Sequence, residues 1–301
     1  TKQSGHEFQR IGLSATVGLP GEVARYLGGK EKTSFRPVEI LEIDVTKHIE
    51  IRVEMPSVKK EDYTPAEKLS IEPASFALLR RCKELIDQHT STLLFINTRD
   101  GAEILASRFH LWHDDQKIGV HHGSLSKHAR IEAENDFKNG TLNALVCTSS
   151  LELGIDVGDT DFVIQYNSPR EVTRIVQRIG RSGHRVGQTS RGMVLATNPE
   201  DLSESLVIAR RALTGTLEHF LVRQNPLSVL SNQIISLALE YGRINAKTAY
   251  ELITRSYPFS TLSWELFQSV VSQLKDQRSI LLEEELNEIL LLKRANSRNY
   301  F

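Results

Sequence analysis

The run Ala144-Leu145-Val146-Cys147 passes without a break into Thr148-Ser149-Ser150-Leu151-Glu152-Leu153-Gly154-Ile155-Asp156. Four consecutive apolar residues with no alternation predict a strand covered on both faces, as in a parallel sheet. The hydroxyl-bearing turn that follows then lies at the strand's carboxyl end, where open α/β sheets bind their ligands. The same pattern recurs on either side of this stretch. Residues 93–96, 118–120, 162–165 and 193–196 are further short apolar runs. Between them, residues 76–88, 100–112 and 126–137 have helical spacing. Leu78, Leu79, Cys82, Leu85 and Ile86 share one stripe, Ala102, Leu105, Ala106 and Phe109 another, and Ser126 stands at an N-cap position. Alternating helices and buried strands from 75 to 196 predict one doubly wound α/β domain around a parallel sheet.

Before this domain, Val38, Ile40 and Ile43 and then Ile49, Ile51 and Val53 alternate in period two across residues 37–56, which predicts a strand pair, followed by the charged stretch SVKKEDYTPAEK. After residue 213 the character changes. Residues 227–241, 246–253 and 264–276 read as three helices separated by short turns, with Gly242 as a C-cap. The tail, 283–292, is acidic and then leucine-rich, suited either to completing that module's core or to resting against another domain. No internal repeat or low-complexity tract interrupts the chain.

With 301 residues, 40% hydrophobic and 25% charged, the chain is long enough for two packed cores and excludes a disordered or collagen-like class. A formal net charge of −1 means that any face for a polyanion must be local. Cys82 and Cys147 lie far apart inside apolar runs, so neither a disulfide framework nor a thiolate metal site is predicted, and the cytoplasm is the expected compartment. The opening residues TKQSGHEFQR have no Met and no apolar secretory stretch. They predict a piece cut from a longer chain that has no membrane partner.

Two kinds of residue carry chemistry. The first is Gln177-Arg178-Ile179-Gly180-Arg181-Ser182-Gly183-His184-Arg185, where a helix bearing Arg170, Arg174 and Arg178 at four-residue spacing is expected to end on a glycine turn. Between residues 168 and 194 there are six arginines and one glutamate, a local net of +5, which repels unless a polyanion or carboxylates answer it. Guanidinium forks at such a turn suit the charge of a transferring phosphoryl group, and a solvated basic helix is the plain alternative. The second is a set of loops after strands: Asn97-Thr98-Arg99, His121-His122-Gly123-Ser124 and Thr148-Ser149-Ser150. Small, hydroxyl or Arg-bearing loops on one edge of a parallel sheet suit contact with phosphates, without reading of bases. His110 and His113 with Asp114 and Asp115 have ligand-like spacing but lack a further ligand set, so no metal site is expected. Trp112 and Trp264 occupy apolar helical positions and read as core.

In order along the chain, Ser14-Ala15-Thr16, Phe95-Ile96-Asn97-Thr98-Arg99, His121-His122-Gly123-Ser124, the 148–156 stretch and the 177–185 stretch resemble motifs III and IV, the HG loop, and motifs V and VI of superfamily 2 helicases. The wording VHHGSLSKHAR, VCTSSLELGIDVGDTDFVIQ and VQRIGRSGHR is most similar to the Lhr (large helicase-related) family. NPLSVLSNQIISLAL and the helical module also resemble that family's region after the motor. The resemblance thus covers nearly the whole chain.

It implies that residues 1–36 end a first RecA-like lobe, 37–212 form a second RecA-like helicase C-terminal domain of P-loop NTPase type, and 213–301 form a small helical winged-helix-like domain. The implied activity is ATP-dependent DNA or RNA unwinding or translocation. Arg181 would be an arginine finger toward the ATP γ-phosphate, and Gln177 would orient that phosphate or the attacking water. The second finger would be His184 or Arg185, because the family wording sets Arg one place later than many superfamily members. Gly154 and Asp156 would touch nucleotide and ribose, with Arg178 on the same ATP-binding side. Thr98, Arg99, Gly123, Ser124, Thr148 and Ser149 would hold the nucleic-acid backbone, and Ser14, Ala15 and Thr16 would couple hydrolysis to closure. The implied partners are single-stranded or partly duplex nucleic acid, ATP, and the chain's own upstream RecA-like lobe. That lobe would bind most of the ATP and Mg²⁺, since neither a GxxxxGK[ST] loop nor an acidic Mg²⁺ motif occurs in these 301 residues. The chain alone is therefore expected not to turn over ATP. The alternative reading is a non-catalytic nucleic-acid-binding or regulatory module.

Overall fold

In chain order the elements are α1 (Pro20–Gly28), β1 (Lys30–Glu31), β2 (Ser34–Phe35), β3 (Ile49–Glu54), α2 (Tyr63–Lys68), α3 (Pro73–Asp87), β4 (Thr92–Phe95), α4 (Arg99–Trp112), β5 (Ile118–His121), α5 (Lys127–Lys138), β6 (Ala144–Cys147), β7 (Phe162–Tyr166), α6 (Val172–Ile179), β8 (Ser190–Leu195), α7 (Pro199–Leu213), α8 (Leu227–Tyr241), β9 (Arg243–Asn245), α9 (Ala246–Ile253), α10 (Trp264–Asp276), β10 (Ile280–Glu283) and β11 (Glu288–Leu291). The computed structural model describes residues 8–14, 16–42, 48–113, 117–152, 158–183, 189–219, 221–283 and 288–291.

Six strands form one sheet in the order β3-β8-β7-β4-β6-β5, and every pairing in it is parallel. The central strands are buried on both faces, as their unbroken apolar runs require. On one face α3 and α4 pack Phe76, Leu79, Cys82 and Phe109 over Leu94, Val146 and Ile164. On the other, Phe137 of α5, Ile175 and Ile179 of α6 and Ile208 of α7 cover Phe95, Leu145 and Val163. Trp112 packs edge-on against Phe76 with ring centroids 4.7 Å apart, a core role. Cys82 and Cys147 are fully buried, and burial pushes both thiols well above the usual range, so neither is a reactive thiolate.

Residues 37–56 do not form the expected strand pair. Residues 37–42 are not in a strand, 43–47 lie outside the described residues, and only β3 forms, running parallel to β8 from Ile49↔Ser190 to Glu54↔Leu195. The period-two pattern correctly turns Ile49, Ile51 and Val53 toward the α6–α7 side, but it does not name a partner about 140 residues away. The same pairing extends β8 back to Ser190, beyond the apolar run at 193–196. The charged stretch that follows is anchored by Asp62, fully buried, which accepts from Arg80 Nε at 2.7 Å and from the Lys59 N–H at 2.7 Å.

The chain divides into two compact units, one of residues Ala15–Gly18 and Ile43–Glu218, the other of Thr1–Ser14, Leu19–Glu42 and His219–Phe301. The second unit has its own core, in which α8, α9 and α10 bring Leu230, Ile234, Ala249, Phe267 and Val271 together. Trp264 stacks on Phe267 with centroids 5.4 Å apart, again a core position. Gly242 ends α8 with φ 69°, as a C-cap requires. To the three helices the structure adds a three-stranded antiparallel sheet in the order β10-β11-β9, and Ile280 of β10 is buried in the core. Residues 19–42 cluster with this module rather than standing apart. The Lys30 N–H donates to the Arg255 carbonyl at 2.6 Å, Tyr257 Oη donates to Glu22, and Phe35 meets Tyr257 edge-on. Gly29 makes this approach possible: its φ is +59°, and a Cβ there would lie 2.8 Å from the Arg255 carbonyl oxygen.

Candidate functional site

Parallel pairing throughout the large sheet places the carboxyl ends of β4, β5, β6 and β7 on one edge. There Thr98 Oγ1 caps α4 by accepting the Gly101 N–H at 3.1 Å. Arg99 Nη1 donates to Ser124 Oγ at 2.7 Å, which ties the loops after β4 and β5 together. Thr98, Arg99, Gly123, Ser124 and Ser149 are exposed, while Thr148 is buried at the end of β6. The ring nitrogens of His121, which is fully buried, lie 2.8 Å from Ser150 Oγ and 2.8 Å from Glu134 Oε1. This side chain therefore pins the turn after β6 to α5. His122 is held in the same way, with Nε2 2.7 Å from Glu103 Oε1. The edge is a strip of hydroxyls, a glycine and one guanidinium on braced loops, with the donor chemistry of phosphate contact.

The arginines are arranged differently from the expected stripe. Arg170 is not on the helix: it lies before α6 with φ +68°, and its guanidinium faces Glu204 at 3.4 Å. Arg174 pairs with Glu171 at 3.0 Å, Arg191 with Glu50 at 3.4 Å, and Arg178 with Glu152. Among the described residues carboxylates thus answer Arg170, Arg174, Arg178 and Arg191, three of these carboxylates coming from outside the arginine-rich segment. Arg178 is 1% exposed. Its Nε donates to Glu152 Oε1 at 2.8 Å, and its Nη1 donates to Asn97 Oδ1 at 3.1 Å and Gln165 Oε1 at 2.6 Å. With these groups engaged inside the sheet edge, Arg178 is held as an internal strut.

Arg181 is half-buried, and removal from water lowers its pKa from the ordinary arginine value. Its Nε and Nη2 donate to the main-chain carbonyl of Glu152 at 3.2 and 2.6 Å. Gln177 Nε2 donates to Thr16 Oγ1 at 2.9 Å, so the candidate catalytic glutamine and the candidate coupling threonine meet. Ser14 is exposed and falls in the other compact unit. Ala15, Gly154, Asp156, His184 and Arg185 lie outside the described residues. The turn after α6 is set by Gly183, whose φ is +65° and where a Cβ would lie 2.8 Å from the Thr189 carbonyl oxygen. Ser182 Oγ bridges the Ile179 and Arg191 carbonyls and holds the turn against β8.

A half-buried guanidinium four residues beyond a glutamine amide has donor chemistry suited to a phosphoryl group. Among the described residues no group of three His, Cys, Asp or Glu side chains could hold a metal ion. His113 lies against the Trp112 ring, with centroids 4.7 Å apart, and Asp114 and Asp115 are outside the described residues. No helix among the described residues is long and apolar enough to cross a membrane. What the sequence did not show is the acceptor role of Glu152, Asn97, Gln165, Glu134 and Glu218. Each acts across a distance in sequence that leaves no local pattern.

A parallel sheet with helices on both faces and this carboxyl-edge site define a RecA-like helicase C-terminal lobe, and residues 77–186 match the helicase conserved C-terminal domain. Over this part of their length the chain is strongly homologous to helicases of the Lhr family. It is 41% identical over 286 residues to the ATP-dependent helicase Lhr-Core protein 2 of Thermococcus barophilus, covering 93% of this chain and 32% of that protein. It is 38% identical over 268 residues to the ATP-dependent helicase Lhr-Core of Methanocaldococcus jannaschii, covering 89% of this chain and 30% of that protein. The structure of Mycobacterium smegmatis helicase Lhr bound to ssDNA and AMP-PNP superposes with a TM-score of 0.82 at 32% identity, over 96% of this chain and 37% of that one. The chain thus spans about a third of the length of these relatives.

Proposed function

We propose that this chain is the C-terminal part of the motor of an ATP-dependent nucleic-acid helicase or translocase. Residues 1–36 would end the first lobe, 37–212 would form the second, and 213–301 would be a winged-helix-like accessory module. In this reading ATP sits between two lobes and Arg181 reaches the γ-phosphate held mainly by the other lobe, where its charge offsets the negative charge spreading over the transferring group. Gln177 orients that phosphate or the attacking water, with Thr16 in contact. Thr98, Arg99, Gly123, Ser124, Thr148 and Ser149 grip successive phosphates of a single strand, so the grip is independent of base identity. Gly154 and Asp156 on the nucleotide, and Arg185 or His184 as a second finger, complete the proposal.

The observation that carries it is the position of Arg181. Its half-buried guanidinium is fixed to the end of the same turn whose start, Thr148 and Ser149, belongs to the hydroxyl strip. Fuel side and strand side are thus joined by a few residues. In the longer protein Arg181→Ala is expected to lower strand-stimulated ATP turnover by about a thousandfold or more while sparing strand binding. Parallel loss of turnover and binding, measured by steady-state kinetics and fluorescence anisotropy, would count against a finger.

A further inference from the structure

We propose that Glu152 is the positioning residue that sets the Gln177–Arg181 turn against the strand-contacting turn after β6. The inference rests on Arg181 acting as the finger. Glu152 ends a turn of 3₁₀ helix at Ser149–Leu151, and its own N–H donates to the Ser149 carbonyl at 3.1 Å. Its position is therefore dictated by the residues proposed to hold phosphate. Both of its acceptor groups are taken by arginines three positions apart. The carboxylate receives Arg178 Nε and Nη2, and the carbonyl receives Arg181 Nε and Nη2.

The two bonds divide the work. Arg178 is buried, lies over the Phe95 ring with its guanidinium carbon 5.2 Å from the centroid, and also bonds Asn97 after β4 and Gln165 of β7. The carboxylate thereby anchors Glu152, which follows β6, to the ends of β4 and β7. The carbonyl, held in place by that anchor, orients the plane of the Arg181 guanidinium through two N–H groups on one oxygen. A displacement of the Thr148–Ser149 turn by a bound strand would be passed to Arg181 by the backbone of a single residue. Glu152 contacts neither the fuel nor the strand in this arrangement, and it acts only through Arg181.

The test uses the full-length protein and compares Glu152→Gln, which keeps shape and carbonyl but removes the charge, with Glu152→Asp and Arg178→Lys. Misplacing the finger by a fraction of an ångström is expected to lower strand-stimulated kcat about tenfold or more in Glu152→Gln. Strand affinity without nucleotide should stay within about twofold, because backbone contacts are untouched. The decisive readout is the pair Glu152→Gln with Arg181→Ala, which should turn over ATP no more slowly than Arg181→Ala alone. Multiplied losses in the pair, unchanged kcat in Glu152→Gln, or strand affinity falling in step with kcat would each overturn the proposal. If Glu152→Gln does not fold, Glu152→Asp and Arg178→Lys carry the same comparison with the anchor weakened instead of removed. If Arg181→Ala itself retains full turnover, the finger reading has failed. If Arg181→Ala is dead and Glu152→Gln is intact, only the positioning role has failed.

Discussion

Arg178 shows how far a residue's chemistry depends on what faces it. Repetition of Arg170, Arg174 and Arg178 at four-residue spacing predicted a charged stripe, and Arg178 was legible as part of the Gln177–Arg181 motif. What was not legible is that the backbone turns to φ +68° at Arg170, that α6 starts only at Val172, and that Glu152 takes Arg178 out of solvent. A buried cation whose partner is removed keeps its desolvation cost. Arg178→Ala, which leaves Glu152 facing Asn97 and Gln165 without its cation, is accordingly expected to destabilise the sheet unit by about 3–5 kcal/mol. Denaturant unfolding followed by circular dichroism measures it. A change within about 0.5 kcal/mol, as for an exposed surface residue, would show that the strut does not matter.

Among the elements, α6 differs from its neighbours in how it begins. Thr98, Ser126 and Asn198 cap α4, α5 and α7 from the adjacent position, and Ser126 was readable as a cap from its place before an apolar-periodic run. Helix α6 has no such residue. Its first N–H groups, on Val172 and Thr173, donate to the carboxylate of Glu218, which also accepts from Thr173 Oγ1. A cap supplied from 45 residues downstream leaves no trace in the local sequence. Partial burial opposes the charged form of Glu218, but the bonds from Val172 and Thr173 outweigh it and hold the carboxyl below the ordinary glutamate range. The sign follows from linkage: a depressed pKa contributes stability above the ordinary glutamate value, and that contribution is lost as pH falls through the folded-state value. Glu218→Gln should therefore cost about 1 kcal/mol at neutral pH. It should also lose part of the acid-induced fall in melting temperature shown by the unaltered chain. Identical acid limbs for the two proteins would rule out this cap as their source.

At the scale of the molecule the two compact units hold separate cores, one on both faces of the parallel sheet and one among α8, α9, α10 and β10. Phe267 is fully buried in the second, ringed by Tyr250 and Trp264. Phe267→Ala is expected to cost that core about 3–5 kcal/mol, since aromatic contacts are lost and the cavity collapses only in part. Hydrogen exchange should show amides of 227–283 losing protection while those of β4, β6 and β7 keep theirs. Equal loss in both sets would show that the two cores open together.

Several features were fixed by chain-local physics. Unbroken apolar runs of about four residues can be satisfied only where both sheet faces are covered, and parallel strands joined by helices must all point the same way. Their turn-bearing ends then share one edge, which is why the hydroxyl loops could be placed together from the sequence without coordinates, whereas the Gln177–Arg181 stretch, at the end of a helix, was joined to them only by its family resemblance. Packing of the whole chain decided which carboxylate meets which arginine, which residue caps α6, and which strand receives β3. Glu152, Glu204, Glu218 and Glu50 reach their partners from 26 to 141 positions away across the folded surface. Pairing at such separations carries no period and no fixed spacing, because it depends on where the chain returns in space.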